Sequence, residues 1–423
     1  MNESLKADVV IAGGGAAGFF AAVTCAEANP LLRVVLLEKS PELLAKVTIS
    51  GGGRCNVTHA CFDPDALCSF YPRGSRELRG PFHKWQPRDT VAWFEIRGVP
   101  IKAESDGRMF PVSNKSTDIT GALISEAKRL GVNIWTSCGL KTVRNQEGGG
   151  FRLVLSNGSE LTCEKLMLAT GGNQNSSGFD LAASLGHTIV DPVPSLFTFH
   201  VDDPRIAGLP GISVPDAVVS VPGTKLKQTG PLLITHWGLS GPAVLKLSAW
   251  GGRILCDLDY TFPLQINWVG GQTTGQVTEA LRNFRKQQGA RTVTGPSPFG
   301  LVSRLWGSLC GAAGIEPEVN WATLTAGQLD ALPRELCEGE YRVTGKSLFK
   351  EEFVTCGGVK LKEVDFRTLE SKVCPGLYFG GELLDIDGVT GGFNLQAAWT
   401  TGRLAGLAMA DETKEATPGR AAG

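Results

Sequence analysis

The sequence predicts an α/β protein whose Rossmann-like domain comes in two pieces, with a second domain inserted between them that is β-rich first and helical last. Three observations predict it. A glycine-rich loop follows an apolar run near the N-terminus and opens a helix of small residues. A second apolar run, Lys165–Thr170, ends in Gly171-Gly172, and a third, Gly376–Phe379, leads into another glycine-rich block before the last long helical stretch. Short, continuous apolar runs bounded by glycine have the pattern of buried parallel strands.

The first unit reads strand, loop, helix, strand. Ala7–Ala12 (ADVVIA) is the strand, Gly13–Gly18 (GGGAAG) the loop and Phe19–Ala28 the helix, which Asn29-Pro30 ends. Arg33–Leu37 is the next strand, with Glu38 at its C-terminal end, completing a βαβ unit. The region 60–118 is polar and mixed, with a helical stretch near Asp89–Arg97 and a turn at Asp106-Gly107. Asp118–Leu130 is amphipathic, and Asn133–Thr136, Leu140–Asn145, Phe151–Leu155 and Glu160–Thr162 read as short strands. From Val190 to Trp268 short strands and Pro/Gly turns dominate. Thr274–Gln288, Pro298–Gly314 and Leu324–Leu332 then read as helices, and Gly391–Leu407 as the last one. The expected division is 1–189 and 347–410 for the Rossmann-like domain, 190–346 for the insertion, and a disordered polar tail over 411–423.

Composition narrows the function. Lys+Arg is 41 against Asp+Glu 42 in 423 residues, so net charge gives no footprint for nucleic acid or an anionic membrane. No apolar run reaches the ~20 residues that span a bilayer, and MNESLKADVVIAGGG lacks a signal-peptide core, so a cytoplasmic protein is expected. Its eleven cysteines form no CxxC pair and read as reduced, mostly buried thiols. Cys55, His59 and Cys61 come nearest to a metal cluster, but no second ligand pair has zinc spacing, and no metal is expected.

The chemistry starts at Gly13-x-Gly15-x-x-Gly18, which with Glu38 twenty residues on completes a dinucleotide fingerprint. Gly13 allows the tight turn, Gly15 lets the backbone approach a pyrophosphate, and Gly18 lets helix and strand pack closely. Ala16 and Ala17 belong to the same loop, and the amides and dipole of the helix N-terminus that it opens favour phosphate. Glu38, followed by Lys39, accepts from a ribose hydroxyl and disfavours a 2′-phosphate. The fingerprint serves NAD and FAD alike. Ala169-Thr170-Gly171-Gly172, after a small β-excursion, fits the return of the chain to the cofactor in a two-dinucleotide flavoprotein. Near the C-terminus, Gly381-Glu382 precedes Asp385, and Gly391-Gly392-Phe393-Asn394-Leu395-Gln396 opens the last helix. Amides there suit the pyrimidine edge of a flavin, whose negative charge grows on reduction. There is no second GxGxxG for NAD(P); Gly271–Gly275 has the wrong spacing and reads as a helix approach.

GGGAAG, EKS, KVTISGGGRCNVTH, DGRMFPVSNKSTDI, THWGLSGPAVL and GLYFGGELLDIDGVTGGFNLQAAW together resemble one bacterial FAD-dependent oxidoreductase family. It includes aminoacetone oxidase-like and 3-dehydro-bile-acid reductase-like flavoproteins, and the resemblance runs over nearly the whole chain. It implies a Rossmann-like, two-dinucleotide-type FAD-binding domain with an inserted second domain, and FAD as cofactor. It implies that the SGGGRCNVT loop lies along the diphosphate and ribityl chain, with Gly51 and Gly53 close to the cofactor. Ser50 would offer a hydroxyl, Arg54 fixed charge, Asn56 an amide, and Lys46 would reach the phosphates. The alternative for Arg54 is an ion pair holding the loop. Cys55 reads as a redox thiol or, with no resolving partner in sight, as a packing residue. The resemblance puts Thr235–Pro242 against the flavin, which makes His236 the acid–base candidate over a purely structural histidine. It also puts Thr355, Gly357 and Gly358 on the substrate side. The stretch Asn173–Gly178 is shorter than the family's glycine- and threonine-rich one, which weakens any contact assigned to that loop.

The expected activity is hydride transfer between a small organic substrate and flavin N5, with NAD(P)H as a transient electron donor. The alternatives are an oxidase of a small amine and an FAD-containing RNA-binding or scaffold protein. The expected partner is a small molecule, with neither nucleic acid nor membrane.

Overall fold

A computed structural model describes residues 5–173, 176–347 and 354–411. The expected disordered tail lies, from residue 412 on, outside the described residues. The chain divides into two compact units, Met1–Val193 with Val354–Gly423, and Pro194–Phe353.

The first unit is built on a seven-stranded sheet. Strands β1 (Val9–Ala12), β2 (Val34–Leu37), β3 (Asn133–Trp135), β4 (Lys165–Leu168) and β5 (Leu377–Phe379) run parallel in the order β5-β4-β1-β2-β3. Every residue of β1, β2 and β5 is buried, which is why these strands read as continuous apolar runs. Two short antiparallel pieces, Val364–Asp365 and Glu370–Ser371, extend the sheet beyond β5.

Helix α1 (Ala16–Ala28) starts three residues before the expected Phe19. Gly15 is its N-cap, so Gly18 is a helical residue and not part of the loop. A Cβ on Gly18 would stand 1.9 Å from the carbonyl oxygen of Gly13, which confines the position to glycine. Helix α2 (Ala45–Gly53) occupies a stretch whose composition calls for neither helix nor strand. Ser50, Gly51 and Gly52 have non-helical angles, so the regular turns stop before the glycines, and Gly51–Gly53 all have positive φ. Helix α3 (Phe393–Ala410) is buried on nearly all sides, as is α1. The two pack backbone to backbone: a Cβ on Gly402 would meet Ala17 O at 2.5 Å, and one on Gly406 would meet Ala21 O at 2.6 Å.

Helices Pro64–Cys68 and Ser75–Lys84 lie in the region that reads as mixed, where charges and Pro81 mask the helical period. Helix Ser177–Ser184 begins within the stretch Asn173–Gly178. The turn at Asp106-Gly107 joins Ile101–Ala103 to Arg108–Pro111, which also pairs with Thr58–His59. A buried ion pair closes this side of the unit. Arg73 donates from Nε and Nη2 to the two carboxylate oxygens of Asp387, whose side chain is fully buried.

The second unit is a closed six-stranded barrel, all its pairings antiparallel. Its strands are Thr198–Val201, Gly238–Ser240, Lys227–Thr235, Ser213–Ser220, Phe262–Asn267 and Gly339–Ser347, in that order around the barrel. Helix Pro242–Asp257 interrupts the stretch that reads as short strands and Pro/Gly turns. Thr273 and Thr325 start the helices Thr274–Gln288 and Ala326–Glu338 with capping boxes to Gln276 and Gln328. The latter continues through Pro333, where the sequence places a stop. Trp268, Trp306, Trp321 and Tyr341 fill the core. Among the described residues no helix is long and apolar enough to cross a membrane.

The Arg73–Asp387 pair yields a prediction. Removing one partner strands the other's charge in a buried site, so Asp387→Ala is expected to cost about 3–5 kcal/mol of stability. Urea unfolding measures it; a loss under about 1 kcal/mol would place the pair among solvated ones.

Candidate functional site

A cleft of about 290 Å³ lies at the C-terminal ends of β1 and β2, where doubly wound sheets take their ligands. The loop Gly13–Ala17 forms its floor, so the N-terminus of α1 opens into it. Glu38 and Lys39 line one side, and Lys46 comes from α2. Ala169, Thr170 and Gly171 follow β4, and Gly381, Glu382 and Asn394 come from the C-terminal segment. Residues from opposite ends of the chain therefore share one wall.

The glycines divide the labour. Gly13 has φ +122°, and a Cβ on it would meet Ala169 O at 2.3 Å. At Gly15 a Cβ would meet nothing within 4 Å. That position faces open cleft, so packing does not require its bareness, whereas the approach of a ligand to the backbone would. The Glu38 carboxylate is held by two backbone amides: Gly14 N donates to Oε2 and Ser40 N to Oε1, both at 2.8 Å. So fixed, it still has lone pairs for a ribose diol. Lys46 Nζ donates to Glu382 Oε2 at 2.5 Å, an ion pair between α2 and the C-terminal segment. Gly381 N donates to Thr401 Oγ1 at 3.0 Å, and the Asn394 side chain bonds both N and O of Gly388. Gly172 crosses Glu382 backbone to backbone: a Cβ on Gly172 would stand 2.4 Å from Glu382 O.

The SGGGRCNVT loop has other partners. Ser50 Oγ donates to Val47 O at 2.9 Å. Arg54 pairs with Glu104 at 2.6 Å and stacks on Phe110, 3.9 Å from the ring centre, as the ion-pair reading of it holds. Neither residue lines the cleft, nor do Gly51 and Gly53. Cys55 is fully buried, and burial pushes its thiol up to about 12, so it carries no thiolate at neutral pH. The Asn56 amide donates to Thr58 O at 3.0 Å and accepts from Gly392 N at 2.9 Å. Val57 O accepts from Trp399 Nε1 at 2.9 Å, and Thr58 Oγ1 donates to Gln396 Oε1 at 2.6 Å. Three consecutive residues thus tie the loop to the first two turns of α3.

That network also places Gly391, Gly392, Phe393 and Gln396, which the sequence assigns to the cofactor and which lie off the cleft wall. Gly392 caps α3, and Gln396 is buried, donating to Thr400 Oγ1 at 3.0 Å. Phe393 stacks on His59 at 4.7 Å and on Phe70 at 4.4 Å beside Gly391. Asp385 N donates to Val359 O at 3.2 Å. The sequence reading missed Gly14, Ser40, Glu42, Leu44, Ala45, Val47 and Ala398 on the wall. Gly14 and Ser40 act through their amides, which any residue type carries, so only the fixed carboxylate of Glu38 could have pointed to them. His236 lies in the second unit, exposed in the two-residue turn between Lys227–Thr235 and Gly238–Ser240.

The chain matches the family model described as HI0933-like protein Rossmann domain over residues 7–408. It belongs to that family. It is an FAD-dependent oxidoreductase. A ribosomal RNA dihydrouridine synthase of Escherichia coli is 30% identical over 93% of this chain and 96% of that one. A 3-dehydro-bile acid delta(4,6)-reductase of Clostridium scindens is 29% identical over 95% of this chain and 98% of that one. The fold is also that of a 3-ketosteroid delta1-dehydrogenase from Sterolibacterium denitrificans, with TM-score 0.51 and 14% identity over 96% of this chain and all of that one.

The cleft fits FAD on its own features: an open face at Gly15, a helix N-terminus for the diphosphate and an anchored carboxylate for the ribose. Substitutions at the two glycines separate binding from folding. Gly15→Val fills the ligand's space without touching protein, so FAD affinity is expected to fall about 100-fold or more with the unfolding midpoint of the apoprotein unchanged; Gly18→Ala, driven into Gly13 O, is expected to lose the fold itself. Absorbance of the purified variants and thermal melts distinguish the two, and full FAD in Gly15→Val would refute the assignment of the loop. Of the eleven free thiols only Cys61 and Cys256 are partly exposed, so a thiol reagent on the native protein is expected to titrate these two and to reach Cys55 only after unfolding. Fast reaction at Cys55 would revive its redox reading.

Proposed function

We propose that the protein is a cytoplasmic reductase that saturates a ring carbon–carbon double bond conjugated to a carbonyl, with NAD(P)H as the electron donor. The observation that carries the reading is the cleft built around Gly15 and Glu38, which suits a dinucleotide with an unphosphorylated ribose. The reaction class is supported by the relatives. A dihydrouridine synthase and a delta(4,6)-reductase act on unlike substrates, yet both names denote saturation of such a bond, and both proteins align along nearly their full length.

Bound FAD supplies hydride transfer at N5. The chain's part is to bind, orient and protonate. The amides at the start of α1 and the Glu38 carboxylate fix the two ends of the adenosine diphosphate half. Saturation also needs a proton on the neighbouring carbon, and we assign it to His236, whose imidazole is exposed in its turn. Ser50, Arg54 and Asn56 contribute by shaping the loop that meets α3.

We propose a small molecule as substrate, because a net charge of -1 offers little counterion release to a polyanion. Uridine in ribosomal RNA is the second reading, favoured by the name of the Escherichia coli relative.

The test is anaerobic visible absorption of the FAD-loaded protein. NADH or NADPH is expected to bleach the flavin bands, and a cyclic enone is expected to restore them. Bands that persist with both nucleotides would overturn the donor. Reoxidation by a uridine-containing ribosomal RNA fragment, and not by enones, would select the second reading. His236→Ala is expected to slow reoxidation at least about tenfold with FAD still bound, and an unchanged rate would remove it as the acid.

A further inference from the structure

A second cavity of the first unit, about 450 Å³, lies between the end of helix Ser75–Lys84 and the C-terminal half of α3. The cofactor cleft takes its last α3 residue at Ala398, and this cavity begins at Arg403, about 7.5 Å further along the axis. Lys84, Arg367 and Arg403 put three cations on its wall, with Trp85, Leu404 and Leu407 as apolar surface. Two carboxylates share the wall. Asp89 already accepts from Gln86 N at 2.8 Å, and Asp411 stands at the end of α3.

Arg403 is held and yet under-used. Its guanidinium carbon lies 4.9 Å from the centre of the Trp85 ring, and Nη1 donates to Thr24 Oγ1 at 3.3 Å. Its acidic neighbour is Glu27 at 3.5 Å, which also serves Arg97 at 3.0 Å. Arg97 and Arg129 both lean on Glu126, so three guanidinium groups divide two carboxylates. Arg403 Nε is buried and finds no hydrogen-bond partner among the described residues. Lys84 Nζ donates to the Arg367 carbonyl at 3.2 Å, which keeps its charge at the rim. A buried N–H without a partner costs ~1–3 kcal/mol, so the protein leaves Arg403 incompletely satisfied; a guanidinium beside a cavity pairs best with an oxyanion.

We propose that this cavity binds the phosphate group of a small molecule, with Arg403 and Lys84 as its anchors and Leu404 and Leu407 under the apolar part of the ligand. Arg367 is already held by both oxygens of Asp365, which leaves Lys84 and Arg403 as the donors for a ligand, and two cationic donors favour a dianion over a single carboxylate. The site is independent of the cofactor reading, since none of its residues lines the first cleft.

The experiment is calorimetric titration of the FAD-loaded full chain with inorganic phosphate, at constant ionic strength balanced by chloride. FAD occupies the other phosphate-accepting site. Saturable 1:1 binding is expected, weakened about tenfold or more by Lys84→Met and by Arg403→Gln, with the flavin spectrum unchanged. Lys84 is exposed, so its variant keeps the test open should Arg403→Gln fail to fold. No heat beyond the chloride control, or binding indifferent to Lys84→Met, would overturn the proposal. Acetate binding as tightly as phosphate would overturn it too, by assigning the site to carboxylates.

Discussion

The cofactor cleft depends on one close contact, the packing of α3 on α1 through Gly402 and Gly406. At both positions a Cβ would stand within 2.6 Å of an α1 carbonyl oxygen, so the helices meet without side chains between them. The consequence reaches well past the contact. Helix α1 carries the fingerprint loop at its N-terminus, and α3 carries the C-terminal glycine block at its own. Bringing the axes this close brings Gly381, Glu382 and Asn394 onto the wall that Gly13–Ala17 begins. A methyl group at either glycine would separate the two halves of the site, though neither residue touches the cleft.

The loop after α2 serves the same end by other means. Asn56, Val57 and Thr58 bond in turn to Gly392, Trp399 and Gln396. All but one of these groups are buried polar atoms or carbonyls that would be costly to leave unmet. The network therefore fixes the register of α3 while the glycine contact fixes its distance. Arg54, clamped by Glu104 and Phe110, braces the turn from outside. The most distinctive motif of the chain thus acts, in its second half, as a strut for the glycine block.

The sequence made the sheet legible because strands buried on both faces admit almost nothing but apolar residues, and β1, β2 and β4 stood out within two or three residues. The start of α1 was misplaced by three residues because Gly18 and its neighbours look like loop until the close approach of Gly13 O is known. Ser75–Lys84 was hidden because its buried stripe of Leu78, Pro81 and Phe82 is outnumbered by charges. At the site, residues that act by lacking a side chain, Gly13 and Gly15, were readable from spacing. Those that act through long-range partners were not. Gln396 and Asn56 carry the polar chemistry of ligands, and only the three-dimensional pairing shows that each is turned to the other segment.

Charge completes the account of the cleft. Its lining carries Glu38, Glu42 and Glu382 against Lys39 and Lys46, and Lys46 is engaged with Glu382. A wall with an excess of carboxylates does not attract a diphosphate by net charge. What remains is directional: free amides at the first turn of α1, the helix dipole behind them, and a floor at Gly15 that lets the backbone come within bonding distance. Such a site holds an anion by geometry. Its geometry suits a dinucleotide with a ribose for Glu38 better than a lone phosphate, which meets the same carboxylates without the ribose that satisfies one of them.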